Sequence, residues 1–158
     1  MANSIYKIRT NYVRITDIDK FNDIISHCII DGGEEIKIIT HTDENDVTRY
    51  GFYCEECIDG MRIPGVDCNE TNCKNCPDFS DCDGDCEYEA FIKELQTVIA
   101  PDDALIITTF NYEKMRYLAA YADIVTCKKW KYIELADIAV DNARELLGNK
   151  DWTTQNEY

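Results

Sequence analysis

The chain lacks any long apolar run: no stretch approaches the about 18 residues that a membrane-spanning helix needs, and Met1 to Val13 carry no signal-peptide core. From both absences a cytoplasmic protein that is not inserted in a membrane is expected. Histidine is scarce, at two residues, and neither His27 nor His41 sits in a nucleophile or metallohydrolase motif. There is no Walker loop, dinucleotide fingerprint or Gly-x-Ser-x-Gly elbow, and Asp31-Gly32-Gly33 reads as a helix-to-strand turn. Positive charge is short as well: 16 basic residues face 31 acidic ones, for a net charge of −15. Such a field repels phosphate backbones and attracts basic surfaces, which disfavours direct nucleic-acid binding. No solenoid repeat or long low-complexity tract interrupts the chain.

What is present is enough for one domain. A length of 158 residues with 45% hydrophobic content can bury a core without covalent staples. Asn11 to Ile15 reads as a short strand, and Thr16, Asp17 and Asp19 signal the start of a helix. Ile18, Phe21, Ile25, Cys28 and Ile29 continue at helical spacing. Glu35 to His41 and Thr48 to Tyr53 flank the polar turn Asp43-Glu44-Asn45-Asp46 as a hairpin. Tyr88, Phe91, Ile92, Leu95 and Ile99 mark a second helix that stops before Pro101. Strands follow at Ala104 to Phe110, Met115 to Cys127 and Trp130 to Ile133, then a helix from Leu135 to Leu147 closed by Gly148. This order predicts an α+β two-layer sandwich, a mainly antiparallel sheet with helices on one face, interrupted by a cysteine-rich metal-binding insert. Residues 1–149 form the single domain, 54–87 the insert within it and 150–158 a flexible C-terminal tail.

Seven of the nine cysteines fall in that insert. Cys54-x2-Cys57 and Cys73-x2-Cys76 are separated by fifteen residues, the spacing of a four-thiolate zinc site built from two knuckles. Closing such a site contributes about 10–16 kcal/mol in small zinc peptides, enough to order a loop with almost no core. Cys68, Cys82 and Cys86 exceed what one zinc ion needs, so one or two ions are expected. Taken through Cys82, the order looks like the two-zinc cluster of fungal regulators, but the gaps differ and the basic residues for DNA are missing. Cys68-x4-Cys73-x2-Cys76 also resembles part of a plant-type iron–sulfur pattern, with Cys82 or Cys86 as fourth ligand. An iron–sulfur cluster is the alternative cofactor, and a redox-sensing or unpaired thiol set is the rival to any metal. Cys28 and Cys127 read as packing residues.

The insert is also the acidic pole. Residues 54 to 89 hold eleven acidic and two basic side chains, −9 of the total −15. Asp78, Asp81, Asp83, Asp85 and Glu87 do not follow the EF-hand rule, because Phe79 would occupy the first ligand position, and they read as a solvated acidic face. Solubility alone is the plainer role for that charge. Tyr112, Tyr117, Tyr121, Trp130 and Tyr132 read as sheet packing, whereas Trp152 and Tyr158 could dock on the body or on a partner.

Asn11-Tyr12-Val13-Arg14-Ile15, Ala100-Pro101-Asp102-Asp103-Ala104, Glu113-Lys114-Met115-Arg116-Tyr117-Leu118 and Asp151-Trp152-Thr153-Thr154-Gln155 together resemble small acidic proteins encoded by phages and prophages of Gram-positive gut bacteria. The resemblance covers most of the chain outside the insert, carries no assigned activity, and implies a mobile-element setting inside a bacterial host cell. In that setting the expected function is non-catalytic: an acidic protein that inhibits or regulates a host nucleic-acid-binding or defence protein. Its expected contacts with a basic protein partner are Glu55, Glu56, Asp78, Asp81, Asp83 and Asp85. The alternative is a zinc-dependent nucleic-acid accessory protein using Lys128, Lys129 and Lys131, and behind it a metal or thiol enzyme.

Overall fold

The computed structural model describes residues 4–30, 35–62, 86–113 and 117–153. Alternation of inward and outward residues builds its principal element, a six-stranded antiparallel sheet. In β1 (Ser4–Thr10), Ile8 and Thr10 are buried while Lys7 and Arg9 are exposed. The strand pairs along its length with β7 (Leu105–Glu113), from Ser4 opposite Glu113 to Thr10 opposite Ile107. On its other side it meets β4 (Thr48–Cys54), which forms the expected hairpin with β3 (Lys37–Thr42). The sheet continues through β8 (Tyr117–Val125) to β9 (Trp130–Glu134), giving the order β3-β4-β1-β7-β8-β9.

One face of this sheet carries the core. Helix α1 (Ile18–Ser26) is capped by Asp17, whose carboxylate accepts from the Lys20 amide at 2.9 Å, and it buries Phe21, Ile24 and Ile25. Helix α2 (Tyr88–Gln96) buries Phe91, Ile92 and Leu95. Phe91 meets Phe52 of β4 edge-on at 6.1 Å between ring centroids. Beside α2 lies a second, three-stranded sheet of β2 (Cys28–Ile30), β5 (Ile58–Met61) and β6 (Cys86–Glu87), in the order β2-β5-β6. Gly51 is required where β4 crosses the end of β1, since a Cβ there would lie 2.6 Å from both the Asn11 carbonyl oxygen and Thr10 Oγ1.

The α+β class and the antiparallel sheet match the sequence reading, and several details depart from it. The strand expected at Asn11 to Ile15 lies earlier, as β1. Asn11 ends the pairing by substituting its side chain for backbone: its Oδ1 accepts from the Ile106 amide at 2.7 Å and its Nδ2 donates to the Ala104 carbonyl at 3.0 Å. Beyond it only single bridges remain, Val13 with Tyr50 and Ile15 with Ile99. Cys28 and Ile29, expected on the stripe of the first helix, belong instead to β2. The helix closes at His27, and the β-branched Ile29-Ile30 pair then finds a partner strand in β5, so pairing overrides the helical spacing.

The third helix corrects the placement of helices on one face only. In α3 (Leu135–Leu147), Leu135 and Ile138 meet Thr108, Phe110, Ala120, Ala122 and Ile133, which belong to the face of the sheet opposite the core. The helix ends at Gly148 in the left-handed conformation, φ 62°, as its sequence predicts. The first part of the tail expected to be flexible folds back: Arg144 Nε donates to the Trp152 carbonyl at 2.9 Å. Tyr158 and the rest of the tail lie outside the described residues. β5 and β6, at the two ends of the insert, are part of the body, because α2 packs on both.

Candidate functional site

The site grows from the inward residues of β8. Three of them alternate: Tyr121, Asp123 and Val125. Val125 is fully buried in the apolar core, whereas Asp123, only 2% exposed, brings a carboxylate to the same depth. Antiparallel register places Tyr132 of β9 opposite Asp123, Trp130 opposite Val125 and Glu134 opposite Tyr121. From α2, Tyr88 reaches down so that its Oη donates to Asp123 Oδ2 at 2.9 Å, while Trp130 Nε1 donates to Asp123 Oδ1 at 2.7 Å. Burying a carboxylate is costly unless donors replace water, and these two charge-assisted bonds are that replacement.

Between these groups lies a cleft of about 320 Å³. The sheet supplies one wall through Ile8, Thr109, Tyr121, Asp123, Trp130 and Tyr132, and Cys57, Ile58 and Tyr88 close the other. The Tyr121 and Tyr132 rings lean together at 5.3 Å between centroids and 42° between planes. Tyr132 Oη donates to Glu134 Oε1 at 2.9 Å, which ties a second carboxylate to one of the lining rings. Trp130 and Tyr132 remain 40% and 46% exposed, so two aromatic surfaces are open to an incoming group. Among the described residues that line the cleft, none is basic.

Two phenols in the cleft hold their protons firmly. Burial, then the charge of Asp123, pushes the Tyr88 phenol far above its ordinary pKa, and burial followed by the neighbouring Cys57 raises that of Tyr121. Neither can release a proton near neutrality. His27 sits at the end of α1 and His41 on β3, and neither lines the cleft.

Of the expected metal ligands, Cys54 and Cys57 bracket the turn between β4 and β5. Cys54 is buried, and its Sγ accepts a hydrogen bond from the Glu56 amide at 3.4 Å. Cys28 is a close neighbour: burial, with the charge of Cys54 added, pushes its thiol up to about 12. Cys86 lies on β6, its backbone in register with Met61. Cys68, Cys73, Cys76 and Cys82 lie outside the described residues. Among the described residues no group of three or more His, Cys, Asp or Glu side chains is placed to hold a metal ion.

The expected partner contacts are divided in the same way. Glu55 pairs with Lys7 Nζ at 2.8 Å, and that hydrogen bond and charge hold its carboxyl below the ordinary range. Glu56 is half-buried. Asp78, Asp81, Asp83 and Asp85 lie outside the described residues. Lys128 and Lys129 occupy the β8–β9 turn, where both amides donate to Thr126 Oγ1, and Lys131 alternates with Trp130 and Tyr132 on β9, on the face away from the cleft.

Asp123 is the site residue that sequence reading did not single out. Its signal was present: a lone acid at an inward position in Ala-Tyr-Ala-Asp-Ile-Val. No family model, no curated protein and no solved structure matches the chain. Among the described residues no helix is long and apolar enough to cross a membrane.

Proposed function

We propose that the chain is a non-catalytic, acidic interaction protein of phage or mobile-element origin that binds a basic protein and inhibits or regulates a host nucleic-acid-binding or defence factor. The observation that carries this reading is the cleft itself: a buried carboxylate, its hydrogen bonds supplied from within, under open aromatic rings and, among the described residues, beside no basic lining residue. Such a site offers charge and aromatic surface to a cation. A net charge of −15 acts in the same direction by drawing basic surfaces toward the protein.

The acidic residues of the insert make the outer contact in this reading, and zinc ordered by Cys54, Cys57, Cys73, Cys76, Cys68, Cys82 and Cys86 would hold them in place. The test is affinity capture from bacterial lysate with the intact chain, followed by reversal of Glu55, Glu56, Asp78, Asp81, Asp83 and Asp85 to lysine. Association should fall at least ten-fold and should weaken steeply with salt. Unchanged association with every captured host protein would remove the reading. Retention on DNA or RNA at low salt, with no protein captured, would move it to the nucleic-acid accessory alternative.

A further inference from the structure

We infer that the aromatic cleft above Asp123 is a pocket for a single arginine side chain of the partner. This deepens the interaction reading and rests on it for the source of the arginine. The pocket's chemistry, however, is a property of the chain alone.

Four features select the ligand. First, Asp123 retains acceptor capacity. Tyr88 and Trp130 each give one donor to a different oxygen, and a carboxylate has about four lone-pair sites. An incoming group with N–H donors can use that capacity, whereas a quaternary ammonium ion cannot. Second, Trp130 and Tyr132 expose ring surface at the mouth, and Tyr121 leans against Tyr132 behind it. A planar guanidinium stacks on such faces while keeping its edge free for hydrogen bonds, which a compact ammonium cannot do as well.

Third, a second carboxylate, Glu134, accepts from the hydroxyl of the lining Tyr132. It adds negative charge next to a lining residue, in the direction that favours a cation. Fourth, the volume of about 320 Å³ lies at the small end of ligand pockets, about 300–1,000 Å³, so it suits one side chain rather than a larger cofactor or a folded segment. Ile8 and Ile58 supply the apolar wall that an arginine stem needs.

The test uses the intact chain and N-acetyl-arginine amide, followed by Trp130-region fluorescence and by amide shifts in two-dimensional NMR. N-acetyl-citrulline amide, the uncharged isostere, and spermidine, a free polyamine without a planar head, are run in parallel. Saturable arginine binding is expected, at least ten-fold tighter than citrulline and tighter than spermidine, with shifts centred on residues 121–134. Asp123→Asn should abolish the preference over citrulline. Because that substitution touches a buried group, Tyr132→Leu, at an exposed position, serves as a second variant and should weaken arginine binding several-fold with an unchanged circular dichroism spectrum.

Equal affinity for arginine and citrulline, tighter binding of spermidine, or no saturable response would overturn the inference. Failure here is distinguishable from failure of the wider reading. A captured basic partner whose binding is unaffected by Tyr132→Leu would remove the pocket but keep the interaction function. Arginine binding without any captured protein would keep the pocket and remove the partner.

Discussion

At the scale of single residues, the protein places its most expensive group where its donors are best. Asp123 is buried, has no basic partner in the cleft among the described residues, and depends on the phenol of Tyr88 and the indole of Trp130. Removing one donor strands part of a buried charge, so Tyr88→Phe should destabilise the fold by about 1–3 kcal/mol in urea unfolding, although the ring and its packing remain. A loss within experimental error would mean that water replaces the phenol freely. The sequence marks Tyr121, Trp130 and Tyr132 as sheet aromatics, and they are. That they surround a carboxylate depends on the register between β8 and β9, which no local pattern encodes.

At the scale of elements, local chemistry and pairing divide the work. The β3–β4 turn is written in sequence. Asp43 Oδ1 accepts from the Asn45 and Val47 amides at 2.9 and 3.1 Å, and Arg49 Nη1 donates to its other oxygen at 3.0 Å. Those amide bonds, assisted by Arg49, hold its carboxyl below the usual carboxylate range. Because the folded value is below the unfolded one, the unfolded chain binds more protons between them. The stabilisation is therefore complete above the ordinary carboxylate range and is lost as pH falls through the folded value. Hydrogen exchange at the Val47 amide should accelerate, relative to its intrinsic rate, as the solution is acidified through that window. Asp43→Asn keeps an acceptor but no titrating group and should flatten the dependence; an identical profile in the variant would exclude Asp43 as the cause. The α1–β2 junction shows the opposite case. Helical spacing runs through Cys28 and Ile29, yet β5 captures them, because a strand partner outweighs a weak helical preference in β-branched residues.

At the scale of the whole molecule, the insert and the body are linked through shared elements. β5 follows directly from the Cys54–Cys57 turn, and Cys57 and Ile58 form part of the cleft wall. A metal at the cysteines would therefore order one side of the proposed arginine pocket as well as the acidic loop. Protein purified anaerobically without added metal should contain one or two zinc ions per chain by elemental analysis, with no visible charge-transfer bands. Chelation should lower the unfolding midpoint and weaken arginine binding together. Iron with visible absorption would transfer the site to an iron–sulfur cluster. Reactive thiols without metal would remove the zinc proposal altogether.

The sequence by itself determined what depends on near neighbours along the chain. The β3–β4 hairpin, α2, the β7–β8–β9 strands and the Gly148 stop of α3 each follow from periodicity or turn chemistry within a few residues. So does the Cys54-x2-Cys57 turn. Only the tertiary structure decided the rest: the early position of β1, the three-stranded sheet, the location of α3 on the face opposite the core, and the convergence of Tyr88, Asp123 and Trp130. These depend on contacts between segments distant in sequence, 35 residues apart in the Tyr88–Asp123 bond and 95 in the Asn11–Ile106 bond that ends β1. Local propensity is weak there, and strand register and the matching of buried donors to a buried carboxylate select the arrangement.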